Sequence, residues 1–401
     1  MPESSDRVAS FALGAAGRSN TEVPSSSLIT RRQCLGASFA ACAWGALPRF
    51  RLASHDYASP AFSVIPVVGD GKWVWTEAPT ETGYLEPRDY RLRVGIQLEA
   101  TGDASEIKAT TPVPAPLPEQ AINETEVRSE GCQARLRSVG EAARQLVLQA
   151  ARVQAGQTLS AMVDMHLTLR KQFLGHAKEQ FPESQPKVSR DFRKLYLTNS
   201  PGIQLGLKEL KQIATEVASQ HTHPWDRARA CYAWVWEHIT PRLGDFTSVK
   251  RALRERVGDC EERAAVFVAL CRALQIPARL VWVPNHNWAE FYLVDAAGEP
   301  HWIPAHTASY SWFGWTGAHE LVLQKGDRLS VPEKRQPQRL LADWMQWKGS
   351  RPRAQFLAEI EPLAATEDAD PGPGARKKNA NGEWKLQRKH HLDGYLRDAS
   401  E

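Results

Sequence analysis

Residues 258–281 read GDCEERAAVFVALCRALQIPARLV, and NHNWAEFYL follows almost at once. The first run constrains the chain more than any other, because it fixes a cysteine at the opening of an amphipathic helix. Ala264, Val266, Phe267, Leu270, Cys271 and Leu274 recur at helical spacing, Asp259 is a good N-cap, and Glu261, Glu262 and Arg263 fill a polar first turn. Pro277 cannot continue the helix, so Arg279–Val283 reads as a strand. After a turn at Pro284 and Asn285, His286, Trp288 and Glu290 share one face of a second strand, alternating with Asn287, Ala289 and Phe291.

This pattern has a chemical meaning. A thiol attacks as thiolate, and a helix N-terminus offers partial positive charge and unpaired N–H groups that favour the anion. An imidazole on a neighbouring strand supplies the base that such a nucleophile needs. Cys260 and His286 are therefore the candidate nucleophile and base, with Trp288 and Glu290 in supporting positions. Cys271 falls among alanine and leucine deep in the helix and reads as core.

Tyr196 to Leu329, with YLTNSP, DRARACYAWVWEHIT, GDCEERAAVF and NHNWAEFYL, resembles the transglutaminase-like superfamily, a papain-related thiol fold. The resemblance implies that Cys260 is the nucleophile, that His286 is the base, and that an acid stands on the next strand in a pattern like WVPVD. Here the matching stretch is HWIPAH, which puts His306 at the acid's position. A neutral imidazole can orient a partner histidine but compensates its charge less than a carboxylate does. Asp295, in VDAAGEP, reads as a turn-shaping residue.

Other chemistries lack support. No CxxC, HExxH or paired Cys/His spacing of the zinc kind occurs, and neither a Walker A loop nor GxGxxG follows a strand. No cofactor or metal is therefore expected. The formal net charge of +4 favours neither a nucleic-acid surface nor a strongly acidic substrate. The expected partner is a protein or peptide substrate, with oligomeric state left open.

With 401 residues, 42% hydrophobic and 24% charged, the chain has room for two ordinary domains. Residues 1–53 read as a twin-arginine-type signal, with Arg31-Arg32 ahead of the short apolar run GASFAACAWGAL, which predicts export and no stable membrane anchor. Cys34 and Cys42 fall in that leader, leaving Cys132, Cys231, Cys260 and Cys271 with no small disulfide framework. Short alternating runs such as Tyr90–Leu98 and Met162–Leu169 within 72–171 predict a β-sandwich. Residues 190–347 are the expected thiol domain, ending in a short helix around Leu340–Trp347, and 349–401 the expected disordered basic tail.

The predicted fold class is therefore α+β: an N-terminal β-sandwich followed by a transglutaminase-like or papain-like cysteine-protease-fold domain. Two functions fit. One is an exported thiol hydrolase or acyltransferase forming an acyl-thioester on Cys260, with hydrolysis favoured because the resemblance is to bacterial relatives lacking the accessory domains of crosslinking enzymes. The other is a non-catalytic groove that binds peptide or cell-wall material, with the replaced acid as its signature.

Overall fold

A computed structural model describes residues 78–242, 246–308 and 312–363, together with the backbone of Val8–Ala9. The predicted leader around Arg31-Arg32 and most of the predicted basic tail lie outside the described residues. Strands dominate the front of the chain: β1 (Val8–Ala9), β2 (Gly83–Glu99), β3 (Ala104–Val113), β4 (Gln120–Glu130), β5 (Gln133–Ser138), β6 (Arg144–Val153) and β7 (Thr158–Phe173). Helices follow as α1 (Arg190–Tyr196), α2 (Lys208–Gln220), α3 (Pro224–His238), α4 (Val249–Glu255) and α5 (Cys260–Ala273), with the two-residue strands β8 (Thr240–Pro241) and β9 (Val257–Gly258) between them. The chain then returns to strand in β10 (Ala278–Val283), β11 (His286–Val294), β12 (Pro300–Ala305), β13 (Trp315–Thr316), β14 (Gln324–Lys325), β15 (Trp344–Gly349) and β16 (Arg353–Pro362).

The front unit consists of two antiparallel sheets. One runs β1-β15-β3-β6-β5, and the other contains β13, β7, β2 and β16, with β4 also paired to β7. Leu92, Val94, Ile96 and Leu98 point one way along β2 and are buried, and they share one apolar cluster with Ile107, Leu146 and Leu148 of the other sheet. Alternation at a period of two is what allows a strand to face a core on one side and water on the other.

Two expectations for the C-terminal region are corrected here. Leu340–Trp347 is predicted as a short helix, but Trp344–Gly349 is strand β15, paired to β3 through Trp344 and Thr110. Residues 349–363, predicted as the start of a disordered tail, include strand β16, which pairs residue by residue with β2 from Arg353 opposite Glu99 to Pro362 opposite Tyr90, and the rest of that predicted tail lies outside the described residues. The apolar residues near 340–347 also fit helical spacing, but pairing with a distant strand satisfies the backbone and buries Trp344, Met345 and Trp347.

The second unit is a layered arrangement in which α5 lies at the centre. It packs against α2, α3 and α4 on one side and the sheet β12-β11-β10-β14 on the other. Ala264, Phe267, Leu270 and Cys271 join Leu280, Ala289, Phe291 and Ile303 in one buried cluster. Burial on all sides explains why the helix has little polar surface beyond its ends.

The two units are joined by buried polar contacts. Gln120, at the start of β4, donates through Nε2 to the Val322 carbonyl at 3.0 Å and accepts the Val322 N–H at 2.8 Å. Lys325 on β14 reaches both Glu119 at 2.6 Å and Glu290 at 2.7 Å.

Candidate active site

Local chemistry fixes the start of α5. Asp259 accepts from the Glu261 N–H at 2.8 Å and the Glu262 N–H at 3.3 Å, while Glu262 reaches back to the Asp259 N–H at 3.1 Å. This reciprocal box satisfies donors that the first helical turn leaves open. Glu262 also accepts the Thr247 N–H at 2.8 Å. Ahead of the cap, β9 pairs in parallel with β8, and the Arg242 N–H donates to the Gly258 carbonyl at 2.8 Å. A Cβ at Gly258 would stand 2.5 Å from the Glu262 Cβ, so the glycine of the GDC run is needed for the close approach of strand and cap.

Topology brings Cys260 and His286 to the same end of the unit. The 14 residues of α5 rise about 20 Å, and after a tight turn the six residues of β10 run back about as far along its face. The N-terminus of α5 therefore lies at the end of the sheet where Val283 pairs with His286. Both Cys260 and His286 are 8% exposed, buried yet touching the surface.

His306 follows β12 directly and is fully buried. Its ring is tilted 30° to that of His286 at 4.9 Å, lies nearly parallel to Trp288, and meets Trp312 edge-on at 5.1 Å. The two histidines approach through Nε2 at 3.4 Å. His306 Nδ1 stands 2.7 Å from the Ala308 carbonyl, and because a carbonyl only accepts, Nδ1 carries a proton and donates.

One further carboxylate enters this cluster. Glu320 Oε1 is 3.4 Å from His306 Nε2, and Oε2 has no hydrogen-bond partner among the described residues. Sequence reasoning misses Glu320, because it lies in an irregular segment beyond every motif. The only signal was negative: a histidine where an acid belongs calls for a carboxylate from elsewhere.

The remaining sequence candidates separate cleanly. Trp288 packs beside the His306 ring. Glu290, further along the same face of β11, belongs to an ion network, accepting from Arg279 and Lys325 at 2.7 Å each. Asp295 shapes its turn, accepting the Ala297 and Glu299 N–H groups at 2.9 Å and pairing with His301. Cys271 is fully buried and pushed well above the ordinary thiol range by burial and by the neighbouring Cys231, so it does not compete as a nucleophile.

Electrostatics around the thiol are uneven. Burial, and secondarily the Asp259 carboxylate, push Glu262 up to about 8. Arg263, one turn along α5, is 1% exposed and lies 4.3 Å over the Trp236 ring. Burial pulls its guanidinium down to about 10, against the opposing pull of Tyr232 and Cys260.

Residues 211–307, which contain Cys260, His286 and His306, match the family model of the transglutaminase-like superfamily. The chain carries a transglutaminase-like domain. A curated relative, Protein png-1 of Neurospora crassa, is 28% identical over 149 residues, 35% of this chain and 35% of that protein. The chain thus spans about a third of the length of that relative. Among solved structures, a candidate cysteine protease from Cytophaga hutchinsonii is 15% identical with a TM-score of 0.48, covering 73% of this chain and 97% of that one. A candidate protease from Parabacteroides distasonis is 13% identical with a TM-score of 0.24, covering 58% and 45%. The matched stretch ends at residue 307, ahead of Glu320.

Proposed function

We propose that the chain is an exported thiol enzyme acting on peptide or carboxamide bonds, with Cys260 as nucleophile and His286 as base. The observation that carries this reading is the placement of the Cys260 helix terminus and the start of the His286 strand at one end of a transglutaminase-like domain. The Cys260 proton passes to His286, and the thiolate attacks the carbonyl carbon, forming a C–S bond as the carbonyl π pair moves to oxygen. The backbone N–H of Cys260 is a natural donor to that oxyanion. His286 then protonates the leaving nitrogen, the C–N bond breaks, and a thioester remains on Cys260.

Water is the acceptor we favour for the thioester, giving a peptidase or amidase. Transfer to an amine is the other outcome of the same intermediate. The front unit, read as a β-sandwich, would then hold part of the site from outside the catalytic domain. The twin-arginine pair Arg31-Arg32 supports export to the periplasm or beyond.

The test is intact-protein mass spectrometry of the purified chain with a panel of peptide amides and activated amides, alongside Cys260→Ala. A covalent acyl adduct and released amine in the wild type, both absent in the variant, are expected. Binding without any adduct or amine release in either protein would reject the enzyme and favour the groove-like binding module.

A further inference from the structure

We infer that Glu320 is a positioning residue of this site, a counter-charge delivered through His306 in place of the acid that the domain lacks. The inference rests on the thiol-enzyme reading above. It begins from His306, whose Nδ1–H is committed to the Ala308 carbonyl at 2.7 Å. Only Nε2 is left to meet other groups, and both His286 Nε2 and Glu320 Oε1 stand 3.4 Å from it.

The proton balance follows from that geometry. With the thiol intact, neutral His286 bears its proton on Nε2 and donates to the His306 Nε2 lone pair. When the thiol ionises, its proton moves to His286 Nδ1, and the Nε2 proton becomes shared between the two imidazoles. No proton leaves the pair, which now carries one positive charge shared through His306 Nε2, the nitrogen that faces Glu320. The carboxylate therefore stabilises the ionised thiolate–imidazolium form more than the neutral one, the role a directly bonded acid plays elsewhere. On protonation of the leaving nitrogen the pair returns to neutrality.

The surroundings strengthen the effect. His306 is fully buried between Trp288, Trp312 and His286, so the charge on the imidazole pair is poorly screened by water. Other charged and titratable groups stand beside this corner: His319 donates to the Glu86 backbone carbonyl at 2.6 Å, Lys171 pairs with the Glu86 carboxylate at 2.5 Å, and Lys171 and Arg88 both lie near enough to His319 to add to the lowering that burial imposes on its imidazole. Glu320 itself is held from the front unit, because Gln120 on β4 clamps Val322 by both ends of its amide and Glu86 on β2 holds His319. That explains why the carboxylate can come from an irregular segment and still be fixed in place. It also gives the front unit a role in the chemistry.

The experiment follows the rate of Cys260 alkylation by iodoacetamide against pH in the full chain, with thermal melting as a fold control. In the wild type a thiolate fraction is expected well below the ordinary thiol value of about 8.5, and His286→Ala is expected to abolish it. If that low-pH reactivity is missing, the thiol-enzyme reading itself fails, independently of Glu320. Where it is present, Glu320→Gln should lower the alkylation rate at pH 6 by roughly tenfold or more, a shift of about one unit, with Glu320→Asp retaining part of it. In a His306→Asp background, which restores a directly bonded acid, the loss on Glu320→Gln should shrink. A pH profile unchanged by Glu320→Gln, or an equal loss in both backgrounds, would overturn the inference. Should Glu320→Gln fail to fold, the partial loss in Glu320→Asp against wild type, set beside His306→Asp/Glu320→Asp against His306→Asp, makes the comparison: a loss in the first pair that shrinks in the second is expected, and no loss in the first pair or an equal loss in both overturns the inference.

Discussion

Glu290 and Glu320 are both buried carboxylates beside the same sheet, yet they are satisfied in opposite ways. Glu290 has each oxygen bonded to a cation, Arg279 on one side and Lys325 on the other, and Lys325 is in turn shared with Glu119. Burial pushes the Glu290 carboxyl up, but Arg279 and Lys325 outweigh it and hold the group below the usual range. Glu320 has one oxygen at 3.4 Å from an imidazole and the other with no partner among the described residues. A saturated ion pair fixes a structure, whereas an unsaturated carboxylate next to a titratable ring is available to respond when charge appears. The fold therefore separates the carboxylates that hold it together from the one placed to serve the site.

The widest test of this separation is at the thiol. Cys260→Ala should reduce turnover of any cleaved amide by at least about a thousandfold while leaving the melting temperature nearly unchanged, because the residue sits at the surface end of a capped helix. Activity assays and thermal melts on the same preparation read both. A large drop in melting temperature with partial activity would place Cys260 in the frame and not in the chemistry.

The frame should fail in the converse way. Glu290→Ala leaves Arg279 and Lys325 buried without their shared anion, and an expected loss of about 3–5 kcal/mol follows from breaking such a pair. Urea unfolding measures it. A loss under 1 kcal/mol would mean that the network is exchangeable and that the contrast with Glu320 is one of geometry only.

Glu262 offers a pH-dependent version of the comparison. Its folded value, about 8, lies above that of an ordinary glutamate, so its contribution to stability is whole below about pH 4.5 and is lost as pH rises through 8. Between pH 6 and 9 the wild type should therefore lose several degrees of melting temperature that Glu262→Gln does not lose. Parallel curves for the two proteins would show that the carboxyl ionises freely in the native state.

The smallest effect is expected at Asp295. Its oxygens serve the turn and His301, so Asp295→Asn should change turnover and the alkylation profile by less than about twofold. A larger change would bring this turn into the site and blur the boundary between frame and chemistry.

Much of the thiol domain was legible because its signals are local. The Asp259 cap, the apolar period from Ala264 to Leu274 and the stop at Pro277 all act within a few residues, and they give α5 as observed. The strands at Arg279 and His286 follow from alternation and a turn. Pairing between distant segments was not legible. Leu340–Trp347 reads as helix until β3 is present to pair with its second half, and the alternation of Phe356, Ala358 and Ile360 in Arg353–Pro362 is short and runs straight into a polar, Pro- and Gly-rich stretch. Glu320 was invisible for a related reason: its meaning depends on His306 and Gln120, residues far apart in the chain that meet only in the folded protein.

The pairing of β16 with β2 also sets a clock on the making of the protein. The sheet that holds β2 is not complete until the chain has been synthesised past Pro362, and the other waits for β15 to end at Gly349, although β2 itself has left the ribosome long before. At about 5–20 residues per second, roughly 260 residues separate the two ends of that pairing, so β2 waits on the order of ten to fifty seconds for its edge partner. During that interval its hydrogen-bonding edge is open to other chains, and the nascent protein depends on its surroundings to keep the edge unpaired until the end arrives.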